Sequence, residues 1–349
     1  MKLLVFFVIC INLNRIGLIF GRVLPASSST RVGCDEDCQR NYLIKYGYIS
    51  PNMNNEIGNL ETMDLSEGIV NLQHEAGIDE TGFLDPPTIN LLQTPRCGVK
   101  WSMISRRQKR FVIVRKWDTD VNHLNETIIS WYLDLSNFEQ IKSENLSKEV
   151  IQSIFSTVMN KWAKTSLIYF KEVLNEADAN ITIKFLEGSH GDGYDFDGPG
   201  KVLAHAFYPG SGRGGDAHFD LDENWTVWNE ESGISLFNVA IHEIGHSIGL
   251  GHSSQSDSIM YAWYNPKNME LSEDDRIATD SLYGVRPQFK FGPLDPKYRI
   301  YKPSITTTPT TIKPKVRRPT KYNMDWIKKL SIINSKVFIY PKSTSTLSF

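Results

Sequence analysis

Apolar residues recur every third or fourth position in some stretches of the chain and every second position in others, and the two periods divide it into regions. From about residue 34 to 93 the helical period prevails. Tyr42, Leu43, Tyr46 and Tyr48 cluster on a first segment, Leu65, Ile69, Leu72 and Ala76 recur on a second, and Ile89 to Leu92 close a third after Pro86 and Pro87. These read as short helices in a small helical unit. After Phe111, ISWYLDL and IYFKEV alternate as strands around the long helical pattern NLSKEVIQSIFSTVMNKWA, and ITIKFLEG, VLAHAFYP and DAHFD supply three more strands. Two helices follow, SLFNVAIHEIGHSIGL and then SEDDRIATDSLYG, with Ser272 as N-cap and Gly284 as terminator. The pattern predicts an α/β arrangement with a mixed sheet, preceded by an all-α unit.

Composition changes this picture at the two ends. Lys2 followed by LLVFFVICI has the charge and apolar length of a secretory signal, taken as residues 1–21, and no later run is long or apolar enough to be a transmembrane segment. The chain is therefore expected outside the cell. The 349 residues as a whole, 40% hydrophobic and 22% charged, can bury a sizeable core in about two domains. The net charge of −2 gives no general attraction to nucleic acid. It is unevenly spread: from Pro287 onward 13 Lys and Arg face only Asp295 and Asp325, a local +11 that leaves −13 on the first 286 residues. That last region, 286–349, contains PSITTTPTTIKPKVRRPTK and reads as an extended basic tail able to attract acidic glycans. Sequons at Asn125, Asn145, Asn180 and Asn224 fit a secreted glycoprotein.

Once Cys10 leaves with the signal, three cysteines remain. Cys34 and Cys38, four apart, could bridge across one helical turn or stay as two free thiols. Cys97 is left over.

The densest chemistry lies in HEIGHSIGLGHSSQSDSIM, residues 242–260. On a helix of about 3.6 residues per turn, His242 and His246 leave one face a turn apart and can grip one ion. Glu243 points along a neighbouring direction, placed as a base rather than a ligand. Gly249 and Gly251 let the chain turn back through positive φ, so that His252 returns as a third nitrogen. Three imidazoles leave a tetrahedral zinc one open position for water.

With the glycine, the third histidine and Met260 at the offsets of H-E-x-x-H-x-x-G-x-x-H…Met, this signature resembles the metzincin zinc proteases. Ser253, directly after His252, resembles the matrix metalloproteinase branch, the matrixins. The resemblance implies a secreted zinc endopeptidase, with a catalytic domain of about 111–285 built on a mixed, mostly parallel five-stranded sheet and three helices. Met260 would lie in a tight turn beneath the zinc. Many matrixins carry a four-bladed hemopexin-like domain after a hinge, and the 63 residues after Arg286 are too few for one, so the expectation is a member without it.

PRCGVKW, residues 95–101, resembles the matrixin cysteine switch. A thiolate is a strong zinc ligand, so Cys97 delivered to the open position would displace the water and silence the enzyme. The family usually reads PRCGVPD. Lys100 and Trp101 depart from that ending, which leaves the segment's salt bridge open. Residues 22–110 would then be an inhibitory prodomain. Arg107-Gln108-Lys109-Arg110 fits the pattern cut by secretory-pathway proprotein convertases, which would free Phe111.

The run from His190 to Glu223 holds His190, Asp192, His205 and His218, which the resemblance assigns to a second, structural zinc with no open position. It also implies calcium at Asp197, Asp220 and Glu223 with carbonyls of Gly198, Gly200 and Val202. A second calcium would take Asp216 with carbonyls of Asn180, Gly212 and Gly214. Leu203 and Ala204 would pair with an extended protein or peptide substrate, and Asn238 would line the side-chain pocket beside the zinc. Protein inhibitors would compete for the same cleft.

Overall fold

The computed structural model describes residues 35–50, 65–101, 111–143, 145–228 and 233–286. The apolar leader, Cys34, the basic run 106–110 and the tail from Pro287 lie outside the described residues.

The N-terminal unit holds three short helices, each with a local reason to start or stop. Asp35 caps α1 (Glu36–Lys45) by accepting the Cys38 amide. Gly77, at φ 64°, ends α2 (Ser66–Ala76) in the left-handed conformation. Asp85 caps α3 (Pro86–Gln93), where proline occupies the first turn and gives up no needed donor. Leu43, Ile69, Leu72 and Leu91 form a core that also takes in Trp101, Val202, Ala262 and Trp263. The unit is thus packed against the C-terminal part of the chain rather than tethered beside it. Cys38 is disulfide-bonded, to a partner outside the described residues, and Cys97 is free.

The remainder is an α/β domain. Strands β1 (Thr127–Leu133), β2 (Ile168–Glu172), β3 (Ile181–Leu186), β4 (Ala204–Ala206) and β5 (Ala217–Asp220) form one sheet in the order β2-β1-β3-β5-β4. All neighbours are parallel except β4, which runs antiparallel to β5 with His205 opposite His218. The expected mixed, mostly parallel five-stranded sheet is present. Its edge strand covers only Ala204–Ala206 of the expected VLAHAFYP, and just before it Leu203 gives its amide to the Arg96 carbonyl of the N-terminal unit. A two-stranded pair, β6 (Trp225–Thr226) with β7 (Ile234–Ser235), was not legible in the sequence, being only two residues a side.

Three helices complete the domain. On α4 (Lys148–Thr165), which Ser147 caps, Ile151, Ile154, Phe155, Val158, Met159 and Trp162 recur at helical spacing and all are buried. Trp162 donates its ring N–H to the Ile241 carbonyl at 3.0 Å, which satisfies the one polar atom of a fully buried indole and fixes α4 against α5 (Leu236–Ser247). Every residue of α5 is buried, so the polar side chains it carries face other protein groups or the site they build. Finally α6 (Glu273–Tyr283) starts in a capping box made by Ser272 and Asp275. Among the described residues no helix is long and apolar enough to cross a membrane.

Candidate metal centre

Helix α5 presents His242 and His246 one turn apart, their ring centroids 4.8 Å from each other. The chain then reverses and brings His252 within 5.4 and 4.8 Å of the two rings. Two glycines permit the reversal, for different reasons. Gly249 has φ 108°, and a Cβ there would lie 1.7 Å from the Arg115 carbonyl oxygen. Gly251 does not have a positive φ; it is bare because Val112 approaches to where its Cβ would be, 2.7 Å away. The expectation of positive φ at both is corrected at Gly251.

Each imidazole is held through Nδ1. His242 donates to the Ile259 carbonyl and His246 to the Leu250 carbonyl, both at 2.7 Å. His252 donates to Glu75 Oε1, also at 2.7 Å. These bonds put the proton on Nδ1 and leave Nε2 as a free lone pair. The Nε2 atoms of His242 and His252 are buried with no hydrogen-bond partner, and that of His246 meets only the Cys97 sulfur at 3.5 Å. Burial pushes His242 down to about 3 and His246 well below its ordinary value, so these two rings stay neutral. One ligand atom from each of Cys97, His242, His246 and His252 lies within 4.8 Å of the others. Imidazole lone pairs converging in this way are what a tetrahedral zinc site requires, and the residues fit that ion.

Glu243 is fully buried and neither carboxylate oxygen has a partner. Burial raises it to about 8, which marks a group ready to hold a proton. The Cys97 thiol is pushed well above its ordinary value by burial first and by Glu243 beside it; a dication held among the three rings would favour its thiolate.

Beneath the rings, Met260 packs against Gly245, where a Cβ would meet the Met260 sulfur at 2.2 Å. Asp275 holds this turn: its carboxylate accepts from the Ser258 hydroxyl and from the amides of Ile259 and Met260. Because the Ile259 carbonyl receives His242, Asp275 acts on a ring it does not touch.

Cys97 arrives on an extended segment that lies between two walls. On one side Arg96 N–H bonds to Lys201, Leu203 N–H to Arg96 and Gly98 N–H to Ala204. On the other, Cys97 N–H bonds to Ala262 and Tyr264 N–H to Pro95. Leu203, Ala204 and the strand start are therefore engaged by backbone. Alongside lies an open cleft of about 380 Å³ lined by Cys97, Leu203, Asn238, Glu243 and Tyr264 among others. Asn238 sits at its wall with its amide 3.4 Å from the Asn265 carbonyl.

The second expected cluster also converges. Asp192 Oδ2 lies 2.9 Å from His190 Nε2, 2.8 Å from His205 Nε2 and 2.8 Å from His218 Nδ1. Burial lowers His205, and takes His218 down to about 4. Among the described residues these two are the only sets of three or more His, Cys, Asp or Glu side chains at such spacing. The oxygen groups expected for calcium do not gather their carboxylates that closely. Asp197 accepts the Val202 amide and Glu223 the Gly200 amide, so the two acids clasp one loop. Asp220 Oδ2 is buried without a partner. Burial raises Asp216 and Asp220 to about 6 and Glu223 to about 7, as expected of carboxylates short of positive charge. The Asn180 carbonyl lies against Gly215, next to Gly214 and Asp216, with Gly212 in the same turn.

Sequence reasoning missed Glu75 and Asp275. Asp275 carried a signal in its place three residues after the N-cap Ser272, the spacing of a capping box; Glu75 carried none, its neighbours at helical spacing being Asn71, Leu72, Ile78 and Asp79.

In comparisons with known proteins, residues 131–284 match the Matrixin peptidase family. The chain is 37% identical to the probable matrix metalloproteinase 095L of Invertebrate iridescent virus 3, across 80% of this chain and 85% of that protein. It is 38% identical to matrilysin of Homo sapiens, across 62% of this chain and 75% of that protein. Identity is also 38% to matrix metalloproteinase-2 of Drosophila melanogaster, across 78% of this chain and only 36% of the longer fly protein.

Proposed function

The chain belongs to the matrixin family of zinc-dependent endopeptidases, and from that premise we propose that the cluster on α5 is its active site. His242, His246 and His252 hold the catalytic zinc, Glu243 is the catalytic base, and Cys97 closes the site in an inactive precursor. The supporting observation is the meeting of three imidazoles, each pinned through Nδ1, beside a carboxylate with two unpartnered oxygens.

Zinc bound there supplies Lewis acidity to a peptide carbonyl and makes water a better nucleophile at neutral pH. Glu243 takes the proton from the attacking water and hands it to the departing amine nitrogen. The backbone of Leu203 and Ala204 receives an extended substrate by strand addition, and the cleft beside Asn238 takes the side chain that follows the cut bond. While Cys97 occupies this groove, neither substrate nor water has access.

The same reading extends along the chain. Residues 1–21 direct export, 22–110 form the prodomain, a proprotein convertase cuts after Arg110, 111–285 is the catalytic domain and 286–349 is a basic tail. The cluster of His190, Asp192, His205 and His218 takes a structural zinc. Asp197, Asp220 and Glu223 with carbonyls of Gly198, Gly200 and Val202 take calcium, and Asp216 with carbonyls of Asn180, Gly212 and Gly214 a second. The buried, partner-poor state of Asp220 supports a cation there. Glycosylation best fits Asn125, Asn145 and Asn224, which are exposed, whereas Asn180 is half-buried and its side-chain oxygen accepts from the amide and the hydroxyl of Ser130. Extracellular proteins are the substrate class.

Glu243→Ala tests the assignment. Zinc content and fold should be unchanged while peptide hydrolysis falls by about two or more orders of magnitude, the scale of a lost general base. Parental turnover by that variant would show that Glu243 is not the base.

A further inference from the structure

Two of the three ring N–H groups at the metal centre are received by carbonyls of neighbouring chain, Ile259 and Leu250. The third is received by a carboxylate 177 residues away, Glu75 on α2. Glu75 is 5% exposed, and its other oxygen accepts from the Tyr48 hydroxyl and from Arg96 Nη2 at 3.3 Å. Arg96 also donates to Tyr48 at 2.6 Å and to the Cys97 carbonyl at 3.1 Å, and its guanidinium lies over the rings of Tyr46 and Trp263. A continuous buried path thus runs from His252 through Glu75 and Arg96 to the residue that presents the thiol. The salt bridge left open by Lys100 and Trp101 is made here, between Arg96 on the extended segment and an acid on α2.

Position and charge give this acid two effects. It fixes the His252 ring plane, and its negative charge makes the Nε2 lone pair a stronger donor to a cation. Neither effect is available once the N-terminal unit departs, because Glu75 departs with it. We propose that Glu75 is a positioning residue of the metal centre: a prodomain carboxylate that orients His252 through Nδ1 and couples that orientation through Arg96 to the Cys97 segment. The precursor then holds its metal in two ways, by a thiol placed at the ion and by an acid behind a ligand. Cleavage loosens both together. This rests on the zinc reading above.

The test uses the full-length chain carrying Arg107→Ala and Arg110→Ala, so that the prodomain stays attached, and follows zinc release to a chromophoric chelator. Glu75→Gln keeps size and an acceptor but removes the charge. Tyr48→Phe removes two hydrogen bonds from the same buried network, one to Glu75 and one from Arg96, and leaves the Glu75–His252 contact in place. Melting temperature and Cys97 reactivity toward a chromogenic disulfide are read in parallel. Glu75→Gln should release one zinc equivalent about tenfold faster than its parent, the lower end of the 10–100-fold effects seen for such partners. Tyr48→Phe should stay within about twofold, with Cys97 protected in both. Parental release from Glu75→Gln would overturn the proposal. So would equal acceleration in both variants in step with their loss of melting temperature, since the network would then only pack. The metal reading fails separately if His246→Ala removes no zinc from the parent.

Discussion

Asp275 should be among the costliest single side chains to remove, though it lies outside the sequence motif. It is 1% exposed and accepts five hydrogen bonds: from Ser258 Oγ at 2.5 Å, Ile259 N at 2.9 Å, Met260 N at 3.2 Å, Ser272 N at 2.8 Å and Ser272 Oγ at 2.7 Å. In Asp275→Ala the Met260 amide keeps a partner in the Ser258 hydroxyl and Ser272 can turn to water. The Ile259 amide keeps none, which costs about 1–3 kcal/mol. Loss of the capping box on α6 adds about 1 kcal/mol, and the lost charged hydrogen bond of Ser258 about 1.5 kcal/mol more. A total of about 4 kcal/mol follows, or roughly 8–16 °C in melting temperature for a domain of this size. Thermal unfolding of the full-length chain, followed by circular dichroism, measures this against the parent and Asp275→Asn, which keeps one acceptor oxygen and should fall between. The variant should also lose hydrolytic activity after processing, since the Ile259 carbonyl that orients His242 is no longer fixed. A melting temperature within about 2 °C of the parent would refute the reasoning, because no orphaned amide in a buried turn is that cheap.

Cys97→Ser, in a chain with Arg107→Ala and Arg110→Ala, should hydrolyse a quenched peptide where its parent is silent, because a hydroxyl is a poor substitute for thiolate; continued silence would leave inhibition to steric cover alone. Calcium at about a hundred times the dissociation constant of the Asp197–Glu223 site should stabilise the chain by about 2.7 kcal/mol through that site, and Asp220→Asn with Glu223→Gln should remove that share and leave only what the Asp216 site adds; an undiminished gain in the double variant would place the ion elsewhere. The basic tail should bind sulfated glycan through exposed, salt-sensitive contacts, so deleting residues 287–349 should advance elution from heparin, and unchanged retention would remove the idea.

Local chemistry was legible and long-range closure was not. The spacing of His242, His246 and His252 announces itself because a helix and one turn fix their geometry within eleven residues. Strands β1 to β3 announce themselves through alternation, and α4 through six apolar residues at helical spacing. Glu75 follows His74, which is not one of the three clustered rings, and its bond to His252 appears only when α2 is folded onto the cleft beside Cys97. Gly251 looked like a conformational glycine and is a steric one, a distinction set by Val112, which is 139 positions away. Asn180 matches a glycosylation sequon, yet its amide belongs to the sheet through Ser130.

The slot that grips Pro95–Gly98 on both sides admits one straight strand and nothing wider. At about 3.3 Å per residue its four positions span about 13 Å. A helix or a closed hairpin has its backbone groups already spoken for and too broad a profile to enter. On the proposed reading, the first selection is therefore mechanical: a folded target is cut only where a short length can be drawn out taut. If drawing it out requires about 3 kcal/mol of local opening, cleavage there is slowed about a hundredfold, whatever its side chains offer to the pocket beside Asn238. Frayed termini, loop tips and thermally loosened segments would be cut first, and the enzyme would sense the slackness of its target before it reads the letters.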